Sequence, residues 1–232
     1  KIYFVTGSQD LYGEETLAQA ARDSARMADF LNEKLSDIAE VVFQPVVKTA
    51  DEAEDICVRA SSDRECIGVI MWMHTFSPAK MWIRALKALK KPMLHLHTQF
   101  NEKLPYDSID MDFMNLNQSA HGDREFGFIC TRLGIRREVV AGYYQHEDVI
   151  EKIRRFAHAA SAVSFSRTLR VAMLGNNMRD VAVTDGDRVE SEIRFGWNVN
   201  YYGIGDVVEI ADSVTESEID AKMAEYLSLI HI

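Results

Sequence analysis

Short runs that are apolar on both faces alternate with longer stretches of helical period through most of the chain. A strand covered on one side alternates apolar and polar residues; one that is apolar throughout needs cover on both sides, as in a parallel sheet between helices. Ile2-Tyr3-Phe4-Val5-Thr6-Gly7 is the first such run, and Val41 to Val47 the second. Ile67 to Met73, Met93 to His97 and Glu138 to Tyr144 follow, and Arg170 to Gly175 opens another. Between the first two, Leu17, Ala21, Ser24, Met27, Ala28, Leu31 and Leu35 recur at helical spacing.

Local signals set several boundaries. Pro45 points to a sheet edge or a bulge, since it cannot donate to a ladder. Thr49 followed by Glu52 has the spacing of a capping box. Ser77-Pro78 predicts a helix running to Leu89, with proline at its first position, and Ser119 suits the N-cap of a helix reaching Leu133. The pattern defines an α/β fold: an open parallel sheet with helices on both faces, Rossmann-like or flavodoxin-like, joined by right-handed crossovers. Residues 1–168 form this amino-terminal domain, ending in the polar stretch Ser164 to Thr168. Residues 169–226 form the incomplete start of a second α/β domain. The last six residues, Leu227-Ser228-Leu229-Ile230-His231-Ile232, read like a translated sequencing adapter, and 227–232 is expected to be a non-native tail.

Composition narrows the function. With 26 Lys+Arg against 36 Asp+Glu, the formal net charge is −10, and the absence of a basic block argues against nucleic acid and anionic membrane surfaces. No apolar run reaches the roughly 18 residues of a membrane span. The three cysteines, Cys57, Cys66 and Cys130, have no CxxC spacing; a reducing, cytoplasmic compartment is expected rather than a disulfide framework.

In an open parallel sheet, ligands bind beyond the carboxyl ends of the strands, and three polar segments fall there. Gly7-Ser8-Gln9-Asp10-Leu11-Tyr12-Gly13 lacks GxGxxG and any lysine for phosphate. Gln9 and Tyr12 can hydrogen-bond a neutral polyol, or the loop can simply cap the next helix; the residues alone leave both open. His74 is read as a loop histidine that caps a helix. His95 and His97 share one strand face, but no carboxylate accompanies them on that strand, so they are read as core or rim residues rather than metal ligands. The densest segment runs from Asp110 to Phe126 and carries amides, carboxylates, His121 and Arg124, suited to reading sugar hydroxyls. Asp110 and Asp112 suggest a metal pair only weakly.

The runs Gly7 to Gly13, His74-Thr75-Phe76-Ser77-Pro78-Ala79-Lys80-Met81-Trp82-Ile83, Asp110 to Gly127 and Asn177 to Asp187 resemble the bacterial L-arabinose isomerases, in order, from Ile2 to Tyr226. The resemblance implies interconversion of L-arabinose and L-ribulose, and often of D-galactose and D-tagatose, in arabinose catabolism. It implies a divalent metal, commonly Mn²⁺, that polarises the sugar oxygens while a glutamate pair handles the protons. It further implies a homo-oligomer, typically a hexamer, whose active sites lie between subunits. By position, Gln9, Leu11, Tyr12, Gln118 and His121 would bind the pentose or hexose substrate, with Met178 as a wall residue. The two metal-binding glutamates, two metal-binding histidines and catalytic carboxylates are expected beyond this chain's carboxyl end. The chain by itself, an amino-terminal fragment, is therefore expected to be inactive. The rival reading is a stand-alone, non-catalytic sugar-binding module.

Overall fold

A computed structural model describes residues 1–175, 179–182 and 186–230, which form two compact units, Lys1–Ser164 and Phe165–Ile232. The first is built on five parallel strands: β1 (Ile2–Thr6), β2 (Val41–Phe43), β3 (Gly68–Trp72), β4 (Met93–His97) and β5 (Glu138–Ala141). Their order across the sheet is β2-β1-β3-β4-β5. That is the flavodoxin-like order, with its reversal of winding between β1 and β3. The helices are α1 (Gly13–Lys34), α2 (Ala50–Ser62), α3 (Trp82–Ala88), α4 (Met111–Leu116), α5 (Ser119–Arg132) and α6 (Glu147–Ser166).

The runs that are apolar throughout feed two cores, one on each face. Ile2, Phe4, Ile70, Trp72, Leu94 and Leu96 point to one side, where Met27 and Leu31 of α1 and Ile153, Phe156 and Ala160 of α6 cover them. Tyr3, Val5, Val69, Met71 and Met93 point to the other, under Ile56 of α2, Trp82 and Leu86 of α3 and Phe126 of α5.

β2 is an edge strand, as Pro45 implies, and it stops at Phe43. The ladder resumes past the proline: the Val47 N–H donates to the Thr6 carbonyl at 2.9 Å and the Ser8 N–H to the Val47 carbonyl at 2.8 Å. The capping box forms as read, with the Glu52 N–H on Thr49 Oγ1 at 3.2 Å and the Thr49 N–H on Glu52 Oε2 at 3.1 Å. Thr49→Ala should therefore cost about 1 kcal/mol, measurable as a lower urea midpoint with unchanged slope.

Two local readings need correction. Pro78 does not begin an α-helix: its ψ is 115°, a 3-10 turn follows at Ala79–Met81, and α3 starts only at Trp82. The Ala79 N–H is capped from outside the segment, at 2.9 Å, by Glu125 Oε2 of α5. Ser119 is the first residue of α5 rather than its N-cap, which is Gln118 without a side-chain cap. The Ser119 hydroxyl donates to Gln99 Oε1 at 2.8 Å instead.

In the second unit, β6 (Arg170–Leu174) pairs in parallel with β7 (Asn198–Tyr202). α7 (Arg188–Phe195), α8 (Ile204–Ser213) and α9 (Glu216–Ile230) complete it. Asp187 caps α7 through the Glu190 N–H at 2.9 Å, and Gly196 ends it in the left-handed region at φ 76°. Much of this unit's apolar surface is uncovered: Val189, Ile193, Ile204 and Ile210 are all more than half exposed. Among the described residues no helix is long and apolar enough to cross a membrane.

Candidate functional site

At the reversal point between β1 and β3, where a crevice is usual, side chains fill the space. A Cβ on Gly7 would come within 2.4 Å of Met73 Sδ and 2.8 Å of Ser77 Oγ, so only glycine allows the two loops to close together. The Thr75 hydroxyl donates to Ser8 Oγ at 2.7 Å. The polar edge is thus displaced outward, onto the 3-10 turn Asp10–Tyr12 and the start of α5. Gln9 and Tyr12 are half-buried at that turn, and Leu11 between them is 83% exposed.

His121 is exposed and stacks on Phe76 at 4.4 Å between ring centroids. Gln118 is half-buried and donates to Asn115 Oδ1 at 3.3 Å. α5 approaches the β3 loop closely because Gly122 has no side chain: a Cβ there would lie 2.8 Å from the Thr75 carbonyl oxygen. That contact sets His121 against Phe76. The loop after β3 therefore links the Gln9–Tyr12 group to the Gln118–His121 group at one edge of the sheet. Met178 lies outside the described residues, as does part of the Asn177 to Asp187 run.

His74 is not a helix cap. It is wholly buried, stacks on Trp72 at 4.4 Å, and its Nε2 lies 3.1 Å from Asp23 Oδ2 of α1. Asp23 also accepts from Gln19 Nε2 at 2.7 Å. His95 and His97 do have a carboxylate, supplied from another element. Asp123 of α5 puts Oδ1 2.9 Å from His95 Nε2 and accepts the Met73 N–H at 3.1 Å. His97 Nε2 lies 3.1 Å from His95 Nδ1.

Burial, helped by neighbouring His97 and Arg137, pushes His95 down to about 2. Burial, then Arg137, lowers His97 too. Burial raises Asp123 well above the ordinary carboxyl range, against the pull of the Met73 N–H. Asp110 caps α4 through the Phe113 N–H at 2.8 Å. The three thiols are buried and free, and burial raises Cys57 to about 12 and Cys130 to about 11, the opposite of an activated nucleophile.

Sequence reading missed the two buried His–Asp pairs. The signal was present: Ser119, Gly122, Asp123, Phe126 and Cys130 lie on the buried face of α5, and Ala20, Asp23, Ser24 and Met27 on that of α1. A carboxylate at a core position of an amphipathic helix requires a buried partner.

Sheet order defines a parallel α/β domain of flavodoxin-like topology. Within that class the chain belongs to the L-arabinose isomerase family. The L-arabinose isomerase N-terminal domain model matches residues 1–168 and the L-arabinose isomerase central domain model residues 170–232. The chain is 51% identical over 232 residues to the L-arabinose isomerase of Geobacillus thermodenitrificans, covering all of this chain and 47% of that protein. Against the L-arabinose isomerase of Clostridium beijerinckii it is 50% identical over 233 residues, covering all of this chain and 47% of the relative. For that of Herpetosiphon aurantiacus the values are 48% over 226 residues, 97% and 45%. The chain thus spans about half the length of these curated relatives.

Proposed function

We propose that the chain supplies the amino-terminal, substrate-covering part of an aldose–ketose isomerase that converts L-arabinose to L-ribulose, with D-galactose to D-tagatose as a second reaction. The observation that carries this is identity of about one half over the whole chain to proteins of that name. The exposed edge supports it. Gln9, Gln118 and His121 carry groups that hold sugar hydroxyls, while Leu11 and Tyr12 shape a wall that excludes water; Met178 is added to that wall by resemblance alone. A leucine that is 83% exposed beside such groups suits a surface that closes over a neighbouring subunit's centre, within a hexamer. Three buried, free thiols suit the cytoplasm.

In this reading a bound divalent cation, Mn²⁺, would polarise the sugar's carbonyl and hydroxyl oxygens, whether hydrogen passes between C1 and C2 as a proton through an ene-diol or as a hydride. Its ligand set is two glutamates and two histidines. Among the described residues, the one group of His, Cys, Asp or Glu within reach of a common ion is His95, His97 and Asp123. With a single carboxylate and no glutamate, it does not fit that role. This reading assigns the ligands and the catalytic carboxylates to the part of the relatives' length that this chain does not span.

The test is to read the source DNA past the Tyr226 codon and to assay the full-length product for ketose formation with and without Mn²⁺. A frame continuing into spaced Glu and His pairs, and Mn²⁺-stimulated conversion of L-arabinose, are expected. His121→Ala in that protein should lower kcat/KM at least tenfold, about 1.4 kcal/mol of transition-state binding. A stop directly after Ile232, or an assembled protein that forms no ketose, would hand the function to a sugar-binding module.

A further inference from the structure

We propose that His95, His97 and Asp123 form a binding site for a divalent transition cation of the zinc, cobalt or nickel class, open on one side to a cavity beside α5. The three side chains come from two elements, β4 and α5, and each offers a donor atom within 4.8 Å of the others. Two imidazoles and one carboxylate suit these cations better than magnesium or calcium, which favour oxygen. Three protein ligands also leave a coordination position free, as in catalytic rather than structural zinc sites.

The second observation is an orphaned atom. Asp123 is 1% exposed, and its Oδ2 has no hydrogen-bond partner. A buried polar atom left unpaired is costly, and a cation satisfies it directly. Asp123 and His97 both line a cavity of about 460 Å³, together with Gln99, Glu102, Arg124 and Tyr143, which has room for water or a small polar molecule as the remaining ligand.

The donors are also held in place. The Met73 N–H fixes Asp123 Oδ1 at 3.1 Å, and the Phe126 ring sits edge-on to His95 at 4.9 Å. Such supporting contacts orient metal ligands. His95 offers one ring nitrogen, so the cation replaces either its Nδ1 contact with His97 or its Nε2 contact with Asp123, and the other contact stays to orient the ring. None of this depends on the isomerase reading.

The test is titration of the chelator-treated 232-residue chain with Co²⁺ alone, followed by its visible absorption and by calorimetry. One equivalent should bind with the absorption of a low-coordinate, nitrogen-containing site. His97→Gln and Asp123→Asn should each weaken it by more than the ~10–100-fold that loss of an outer contact brings. His158→Gln, at an exposed histidine on α6, should change nothing. Zn²⁺ should raise the melting temperature of the parent chain but not of His97→Gln, which alters a rim residue and keeps the buried pair. Absence of a one-to-one stage, or equal Co²⁺ affinity in His97→Gln, overturns the proposal.

Discussion

Trp72→Ala is expected to destabilise the first unit by about 3–5 kcal/mol, enough to remove a large part of a typical domain's stability. Trp72 is wholly buried at the carboxyl end of β3, with Phe4 at 6.2 Å and His74 stacked at 4.4 Å between ring centroids. Its indole N–H donates to the Thr98 carbonyl at 2.9 Å, and Thr98 Oγ1 in turn accepts the Tyr144 N–H at 3.1 Å. One side chain therefore fills core volume and ties together the loops after β3, β4 and β5. Trp72→Phe keeps most of the volume but leaves the Thr98 carbonyl without its donor, and should cost about 1–3 kcal/mol. Urea unfolding followed by far-ultraviolet circular dichroism separates the two. A loss for Trp72→Ala within the ~0.5 kcal/mol of an ordinary surface change would mean that the core closes without it.

Asp123→Asn should gain stability relative to the parent chain as pH rises, by up to about 1.4 kcal/mol per pH unit. Burial raises Asp123 above its unfolded value near 3.8. Above that pH the unfolded chain gives up a proton that the folded one keeps, so the folded state loses ground until pH passes the raised value. His95 acts in the other sense. Its folded value near 2 lies below the ~6.5 of an unfolded histidine, so its stabilisation is present above about 6.5 and is lost as pH falls.

Between about pH 4 and 6.5 the two contributions oppose each other in the parent chain. The amide introduced by Asp123→Asn keeps an acceptor for the Met73 N–H and a polar partner for His95 Nε2 without titrating. It leaves the His95 contribution exposed, with His97 and Arg137 unchanged around it. Unfolding midpoints at pH 4.5, 5.5 and 6.5 for both proteins test this. Parallel curves would show that Asp123 ionises alike in the folded and unfolded states.

What the sequence makes legible here is local. The strand runs, the edge character given by Pro45 and the Thr49–Glu52 cap depend on residues a few positions apart, so their physics is visible in one dimension. The cap on the Ala79 N–H ahead of α3 comes from Glu125, 46 residues away. The burial of His74 and the pairing of His95 with Asp123 depend on partners 51 and 28 residues distant. The strand order, which brings the β1 and β3 loops together, is likewise a long-range outcome. Of the edge residues, Gln9 and Tyr12 read equally well as polyol-binding or helix-capping groups, and Leu11, Gln118 and His121 are put forward by resemblance.

The order of strands also dictates how the first unit can grow on a ribosome. Each strand pairs with one already made: β2 and β3 with β1, β4 with β3, β5 with β4. At synthesis rates of about 5–20 residues per second, the sheet can extend strand by strand without waiting for a distant partner. The two faces mature differently. Helices α2, α3 and α5 arrive in turn to cover one face, whereas the other is shared by α1 and α6, the first and last helices of the unit. The nascent chain thus carries a half-covered apolar face around Trp72 until α6 has emerged, and that interval is when it is most open to chaperones and to misassembly.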